Sequence, residues 1–323
     1  MHSKRARIAF LIFQSTLSFC AWAQDPHFSQ FYANPLYTNP AAAGVTYSDG
    51  GGRVGINYRN QWKGLYSTFI GSWDQEFKKL KGGIGIMIMD DHSGDNLILN
   101  KSVSAIYSFK HTINKKLNLH YGLQTEWSQK TIDWNRLRYE DQIDPTGGFI
   151  NPTTEPLINK PKNTLNFSLG VLANHKHFFG GLAVHNLTEP NVSLLSAKSI
   201  WPRRFTVHGG YNFEFESAAD WQLSPQILLM QQSKYKQMNV GALASYKWLT
   251  FGTFYRHSLG YFSGPTDLIG VLGVKVKKWR LAYSYDRVVS GASNYLSHSH
   301  ELSISFAYCN KKVSKETHKG MMW

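Results

Sequence analysis

Metal or acid–base chemistry in this chain would have to come from thirteen histidines, two cysteines and a modest set of carboxylates. His175 with His177, and His298 with His300, are spaced so that each pair shares one face of a strand, which is metal-capable spacing. Surface or turn histidines explain both pairs, and no metal is expected. Ser297, Ser299 and His300 admit the idea of a hydrolase at an outer rim, but no further feature supports it. There is no G-x-S-x-G elbow, H-E-x-x-H, Walker loop or C-x-x-C. Gly50-Gly51-Gly52 opens a strand and not a helix, so it cradles no phosphate. The chain is read as a non-enzyme with no catalytic residue and no cofactor. What remains is charge. Arg59, Asp74, Glu126, Arg280, Asp286 and Glu301 stand in extended segments where they would face a shared interior. Opposite charges so placed form a polar network that braces the interior. The sharper alternative is a polar pathway for a permeant.

Those positions have meaning only within the elements that carry them. Of the 323 residues, 42% are hydrophobic, 14% aromatic and only 17% charged, which excludes a disordered chain. Two cysteines exclude a disulfide scaffold. No apolar run reaches the eighteen or so residues of a membrane helix, but a transmembrane barrel stays open because alternating strands average out as moderately polar. Alternation of period 2 recurs from residue 50 onward. In Trp279–Asp286, Trp279, Leu281, Tyr283 and Tyr285 oppose Arg280, Ala282, Ser284 and Asp286. In 301–308, Leu302, Ile304, Phe306 and Tyr308 oppose Glu301, Ser303, Ser305 and Ala307. No comparable stretch carries a 3.6-residue period. The chain is all-β, with about fourteen antiparallel strands predicted at 51–60, 67–77, 82–90, 97–110, 115–129, 163–174, 177–187, 203–216, 220–231, 236–246, 248–257, 266–276, 279–289 and 298–308. Most are long enough to cross a bilayer at a tilt, whereas sandwich strands are shorter. Connections after even strands are short, and those after odd strands are generally longer, the longest being 130–162. That asymmetry is the outer-membrane pattern, with short turns in the periplasm. The polar faces then line a lumen and the apolar faces meet lipid. An even strand number puts the mature N-terminus and the tail together on the periplasmic side.

Residues 1–23 read as a secretory signal peptide, with Lys4, Arg5 and Arg7 before a short apolar stretch and Ala21-Trp22-Ala23 as the cleavage site. Cleavage leaves Cys309 as the one thiol. Residues 24–50 cannot be a ladder strand, since Pro26, Pro35 and Pro40 remove donors and Asn-Pro pairs favour turns. Yet the segment is rich in aromatics and leucine. It is expected to pack in the lumen as a hatch built on Phe28, Phe31, Tyr32, Asn34, Pro35, Asn39 and Pro40. The barrel is assigned to 51–308 and a periplasmic tail to 309–323.

The opening run from Gln24-Asp25 through Phe28-Ser29-Gln30, Asn34-Pro35 and Asn39-Pro40-Ala41 to Ala43-Gly44 resembles the start of the PorP/SprF family of Bacteroidota outer-membrane proteins. Tyr58-Arg59-Asn60-Gln61-Trp62, Ser72-Trp73-Asp74, Gly82-Gly83-Ile84-Gly85, Ser284-Tyr285-Asp286 and Ser299-His300-Glu301 match further motifs of that family. The resemblance implies a fourteen-strand barrel of the fatty-acid-transporter type. It also implies an accessory role in type IX secretion and gliding motility, delivering or anchoring a large adhesin-like surface protein. Expected partners are outer-membrane lipid, type IX components and that secreted protein. The alternatives are a transporter for a hydrophobic or small solute, and a structural anchor for a periplasmic assembly.

The formal charge of +14 would suggest nucleic acid, which a signal peptide and a barrel exclude. Instead, Lys78, Lys79, Lys115, Lys116, Lys277 and Lys278 fall in predicted periplasmic turns and form a basic rim. Such a rim can dock an acidic partner or lipid head groups. Arg59 and Trp62 fall near the first external turn, placed to close the lumen or meet a partner. The 33-residue loop around Asp141–Gly148 is the expected contact for an exported protein.

Overall fold

The structure, a computed structural model, describes residues 25–45, 51–144, 147–154, 160–194, 198–215, 220–259, 266–290 and 298–308. The predicted signal peptide, Gln24 and residues 46–50 of the predicted hatch segment, Ser297 and the predicted 309–323 tail with Cys309 lie outside them. Fourteen long strands run through the described residues: β1 Gly52–Gln61, β2 Tyr66–Phe77, β3 Gly82–Ser93, β4 Ile98–Thr112, β5 Leu117–Ile132, β6 Lys162–His175, β7 Phe178–His185, β8 Arg204–Tyr211, β9 Trp221–Gln232, β10 Tyr235–Tyr246, β11 Leu249–Leu259, β12 Asp267–Val276, β13 Trp279–Val288 and β14 Ser299–Tyr308. Each pairs antiparallel with its chain neighbours, and β14 pairs with β1 over ten residues, from Gly52↔Tyr308 to Gln61↔Ser299. The sheet is therefore a closed barrel with no free edge, the form in which strands satisfy every backbone group in lipid.

The predicted strand positions correspond one for one, with adjusted ends. The chain of β8 breaks at Asn212, whose N–H donates to His177 O (2.6 Å) and whose Oδ1 accepts from Ser224 Oγ (2.7 Å). Phe213–Glu214 then resumes the pairing with β9. β3 runs three residues beyond its predicted end, because Asp91–Ser93 continue the ladder with Tyr66–Thr68. The β9–β10 connection is only Ser233-Lys234, an exception to the rule of longer loops after odd strands.

Alternation sorts the side chains. On β1, Val54, Ile56 and Tyr58 face outward while Arg53, Asn57 and Arg59 are buried inside. Outward aromatics such as Tyr107, Trp221, Trp248 and Trp279 mark the short-turn end, and Tyr58 and Trp127 the other, as interfacial girdles do. One expectation is corrected. The lumen face is not uniformly polar: Leu228, Leu243, Phe254, Ile269 and Val271 point inward on β9–β12, and Ile70, Met87, Met89 and Ile106 on β2–β4. They are apolar because another part of the chain covers them. On the outer face, Leu272 is 57% exposed at mid-strand. Leu272→Arg is expected to destabilise the bilayer-inserted barrel by about 2–4 kcal/mol, read as a drop in urea midpoint in lipid vesicles.

Candidate functional site

The covering element is Asp25–Val45. Prolines shape it. A single helical turn, α1 (Pro35–Thr38), starts on Pro35, where the missing N–H is no loss. Thr38 Oγ1 returns to Phe31 O (3.0 Å) and Asn34 O (3.1 Å). Asn39 Oδ1 accepts from Ala41 N (2.9 Å) and caps the 3-10 turn Pro40–Ala42. The segment threads the lumen lengthwise. Asp25 meets Gln232 and Arg204 at the long-loop end, and Gly44 meets Gly83 and Glu76 at the short-turn end. The expectation of a wholly periplasmic start is thereby corrected: the chain enters β1 from that end, but Asp25 lies at the opposite one. The reason is its carboxylate, which takes Arg204 (3.0 Å), Gln232 Nε2 (3.1 Å), Asn186 Nδ2 (3.2 Å) and the Trp201 indole N–H.

The densest contact is at Ser29-Gln30. Ser29 Oγ donates to Asp286 Oδ2 (2.6 Å) and accepts from Arg59 (2.5 Å) and Arg256. Both backbone N–H groups donate to Glu301, Ser29 at 2.7 Å and Gln30 at 3.2 Å. Arg59 bonds Asp286 (2.8 Å) and Glu301 (3.1 Å), and Arg256 bonds Asp267 and Asp286 (3.1 Å each). Asn57 adds a bond to Glu301 (2.8 Å). The Gln30 side chain bonds Glu301 O, Ser284 Oγ and Ser303 Oγ. Arg59, Asp286 and Glu301 are each at most 2% exposed. Two guanidiniums thus sit among three carboxyl groups, with a hydroxyl and two amides from the segment at the centre. Ser29 Oγ is committed to guanidiniums and a carboxylate, so the arrangement grips the segment.

The other foreseen residues are distributed around the lumen. Phe28 and Leu36 pack on Ile70, Met87 and Ile106; Phe31 and Tyr32 lie against Phe254, ring centroids 5.7 Å away in both cases. Asn34 and Pro35 are buried at the start of α1. Asn39 Nδ2 reaches Val171 O (3.0 Å) and Leu182 O (3.3 Å), and Pro40 rests on Gly122 and Gly170. Asp74 is apart from the cluster, bound to Arg53 (2.8 Å) and Gly44 N (2.9 Å) at the short-turn end. Glu126 is also apart, with Ser104 (3.1 Å) and Gln124 (3.3 Å). Arg280 is the correction in this set. It shares the inward row of β13 but lies roughly 20 Å along the strand from Asp286, half-buried opposite Ser305. Arg59 and Trp62 are not a pair either: Arg59 points into the lumen, while Trp62 sits in the β1–β2 turn against Tyr66 (5.5 Å). Lys78, Lys79, Lys115, Lys116, Lys277 and Lys278 are all exposed in short turns.

Arg256, Asp267, Arg53, Arg204, Asp25 and Ser29 were missed by the sequence reading. A signal existed for three of them, Arg53, Arg256 and Asp267. Arg53↔Asp74 and Arg256↔Asp267 are direct cross-strand neighbours, as a count outward from each hairpin would place them. His175 stacks on Phe178 (4.5 Å) and His177 on Tyr211 (6.3 Å) in the outer girdle, and no cluster of three metal-ligating side chains exists among the described residues. In the longest loop, Asp141 takes Thr153 Oγ1, Thr154 N and Thr154 Oγ1. The Thr154 amide above all, with the two hydroxyls, holds its carboxyl below the usual range.

A closed fourteen-strand antiparallel ring, outward-apolar between aromatic girdles and inward-charged, is an outer-membrane β-barrel. A family model described as type IX secretion system membrane protein PorP/SprF matches residues 21–306, and the chain belongs to that family. A search of curated protein sequences finds no match. Among solved structures, the chain is similar to the CymD monoaromatic hydrocarbon channel (10% identity, 87% of this chain and 94% of that one, TM-score 0.51). It is similar also to the Pseudomonas putida toluene transporter TodX (10%, 90% and 99%, 0.50) and to a Pseudomonas aeruginosa FadL homologue (10%, 85% and 94%, 0.50). At such identities the likeness is one of fold. Family membership associates the protein with the type IX secretion machinery of the outer membrane.

Proposed function

We propose that this protein is a non-enzymatic accessory of type IX secretion that delivers or anchors one specific secreted surface protein without conducting it. The observation that carries the second half is the filled lumen. Asp25–Val45 occupies the interior almost wholly buried, with Ser29, Gln30, Asn39, Ala41 and Ala42 at 0% exposure. In this reading the segment is a plug, the Arg59–Asp286–Glu301 cluster fastens it, and the longest loop contacts the exported partner. A fourteen-strand barrel so filled has no room for a folded protein, so the pore belongs to another component. The rival reading, passage of a hydrophobic or small solute, draws on the fold shared with TodX and CymD and requires the segment to move.

The test is quantitative proteomics of surface and secreted fractions from a clean deletion strain and its parent. Loss of one or a few large surface proteins, with the bulk secretome intact, is the expected result. Loss of every type IX substrate would make the barrel a core part of the machine. An unchanged secretome would overturn the proposal and send the question to solute uptake.

A further inference from the structure

The two ends of the barrel differ in charge. The six short connections, after β2, β4, β6, β8, β10 and β12, carry nine lysines and, by sequence, three carboxylates, Glu214, Glu216 and Asp220, the last 3.5 Å from Lys247 Nζ. The connections of the opposite end carry seven basic and seven acidic side chains. The surplus is not local: lysines occur in five of the six short turns, at 78–81, 115–116, 176, 247 and 277–278, and so are spread round the circumference. They are also at one depth. Lys247 precedes Trp248, with its Nζ 5.1 Å from the Tyr246 ring, and Lys277-Lys278 precede Trp279. Trp248 and Trp279 are outward and at least half exposed, on the girdle that marks the membrane interface. Turns this short keep the lysines within one or two residues, or about 3–7 Å, of that girdle.

We infer that the short-turn rim is a collar for anionic phospholipid head groups of the inner leaflet. Its shape selects this occupant over an acidic protein. A docked protein would call for a patch on one side, whereas a ring of ammonium groups at interfacial depth matches the annular lipids that surround a barrel on all sides. Lysine is a mobile point charge suited to phosphate, and the attraction is short-ranged and salt-sensitive. The collar is independent of the secretion role.

The test uses the full-length protein in nanodiscs of phosphatidylethanolamine and phosphatidylglycerol in equal amounts, with retained lipid identified by native mass spectrometry. The wild type is expected to keep phosphatidylglycerol in about fivefold preference, falling as salt rises. Lys→Gln at 78, 79, 115, 116, 277 and 278 together is expected to abolish the preference. Lys→Gln at 63, 160, 198 and 234 with Arg138→Gln, all at the other end, is expected to leave it intact. Heat-modifiable mobility on gels verifies that both variants are folded. Equal preference in the wild type and the rim variant would overturn the collar. So would a rim variant that keeps its lipids but loses a periplasmic protein in pull-downs from cells.

Discussion

Glu301→Ala is expected to destabilise the barrel by about 3–5 kcal/mol, the usual result of breaking a buried ion pair from one side. The carboxylate accepts from Ser29 N, Gln30 N, Asn57 Nδ2 and Arg59, all within 3.2 Å. Truncation leaves three buried donors, Ser29 N, Gln30 N and Asn57 Nδ2, without their acceptor and takes one from Arg59, and each unsatisfied group adds its own desolvation penalty. Arg59 would keep Asp286, but Arg256 already shares that carboxylate. Glu301→Gln keeps one acceptor oxygen in place and is expected to lose about half as much. The measurement is the urea midpoint in lipid vesicles, paired with maleimide labelling of Ala42→Cys in a Cys309→Ser background. Ala42 is fully buried beneath the wall. If the cluster fastens the segment, labelling at residue 42 rises in Glu301→Ala before the barrel itself unfolds. A loss of stability with residue 42 still protected would mean that the cluster braces only the wall.

The strand count was legible because alternation is a property of single strands, and lipid outside a ring imposes it on nearly every one. The exceptions were the places where the chain packs on itself. Phe254 and Ile269 read as errors in an otherwise polar face until Phe31 and Tyr32 are set against them. Glu126 and Arg280 show the other limit. A face can be assigned from parity, but height along the lumen depends on the stagger between strands, so residues on one face were grouped that sit far apart. The reverse error hid Arg256, which parity places inside and only the Asp267 register places beside Asp286. The N-terminal segment was legible as a packed, non-strand element from its prolines and aromatics. Its direction through the lumen was not, since that depends on Asp25 finding Arg204, 179 residues later in the chain.

Gly122→Val tests what the segment does for the barrel. Gly83, Ser108, Gly122 and Gly170 are consecutive cross-strand neighbours on β3, β4, β5 and β6, an inward row without bulk. The backbone of Asn39–Gly44 lies directly on it. A Cβ at Gly122 would meet Pro40 C and Ala41 N, one at Gly170 would meet Asn39 Oδ1, and Ser108 Oγ donates to Ala41 O (3.0 Å). The neighbours at Gly122 are main-chain atoms that cannot rotate away, so the segment must leave the wall. The ladder is untouched and valine suits a strand, so the ring should still close, at an overpacking cost of about 1–3 kcal/mol. Gly270 is the control. It faces outward on β12 with nothing within 4 Å of its virtual Cβ, and Gly270→Val should be neutral. Planar-bilayer recordings are expected to show Gly270→Val as closed as the wild type. Gly122→Val should pass small ions with conductance higher by about an order of magnitude, as an unplugged barrel of this size allows. A Gly122→Val barrel that labels at Ala42→Cys yet stays closed would remove the plug role and leave the segment as a folding strut.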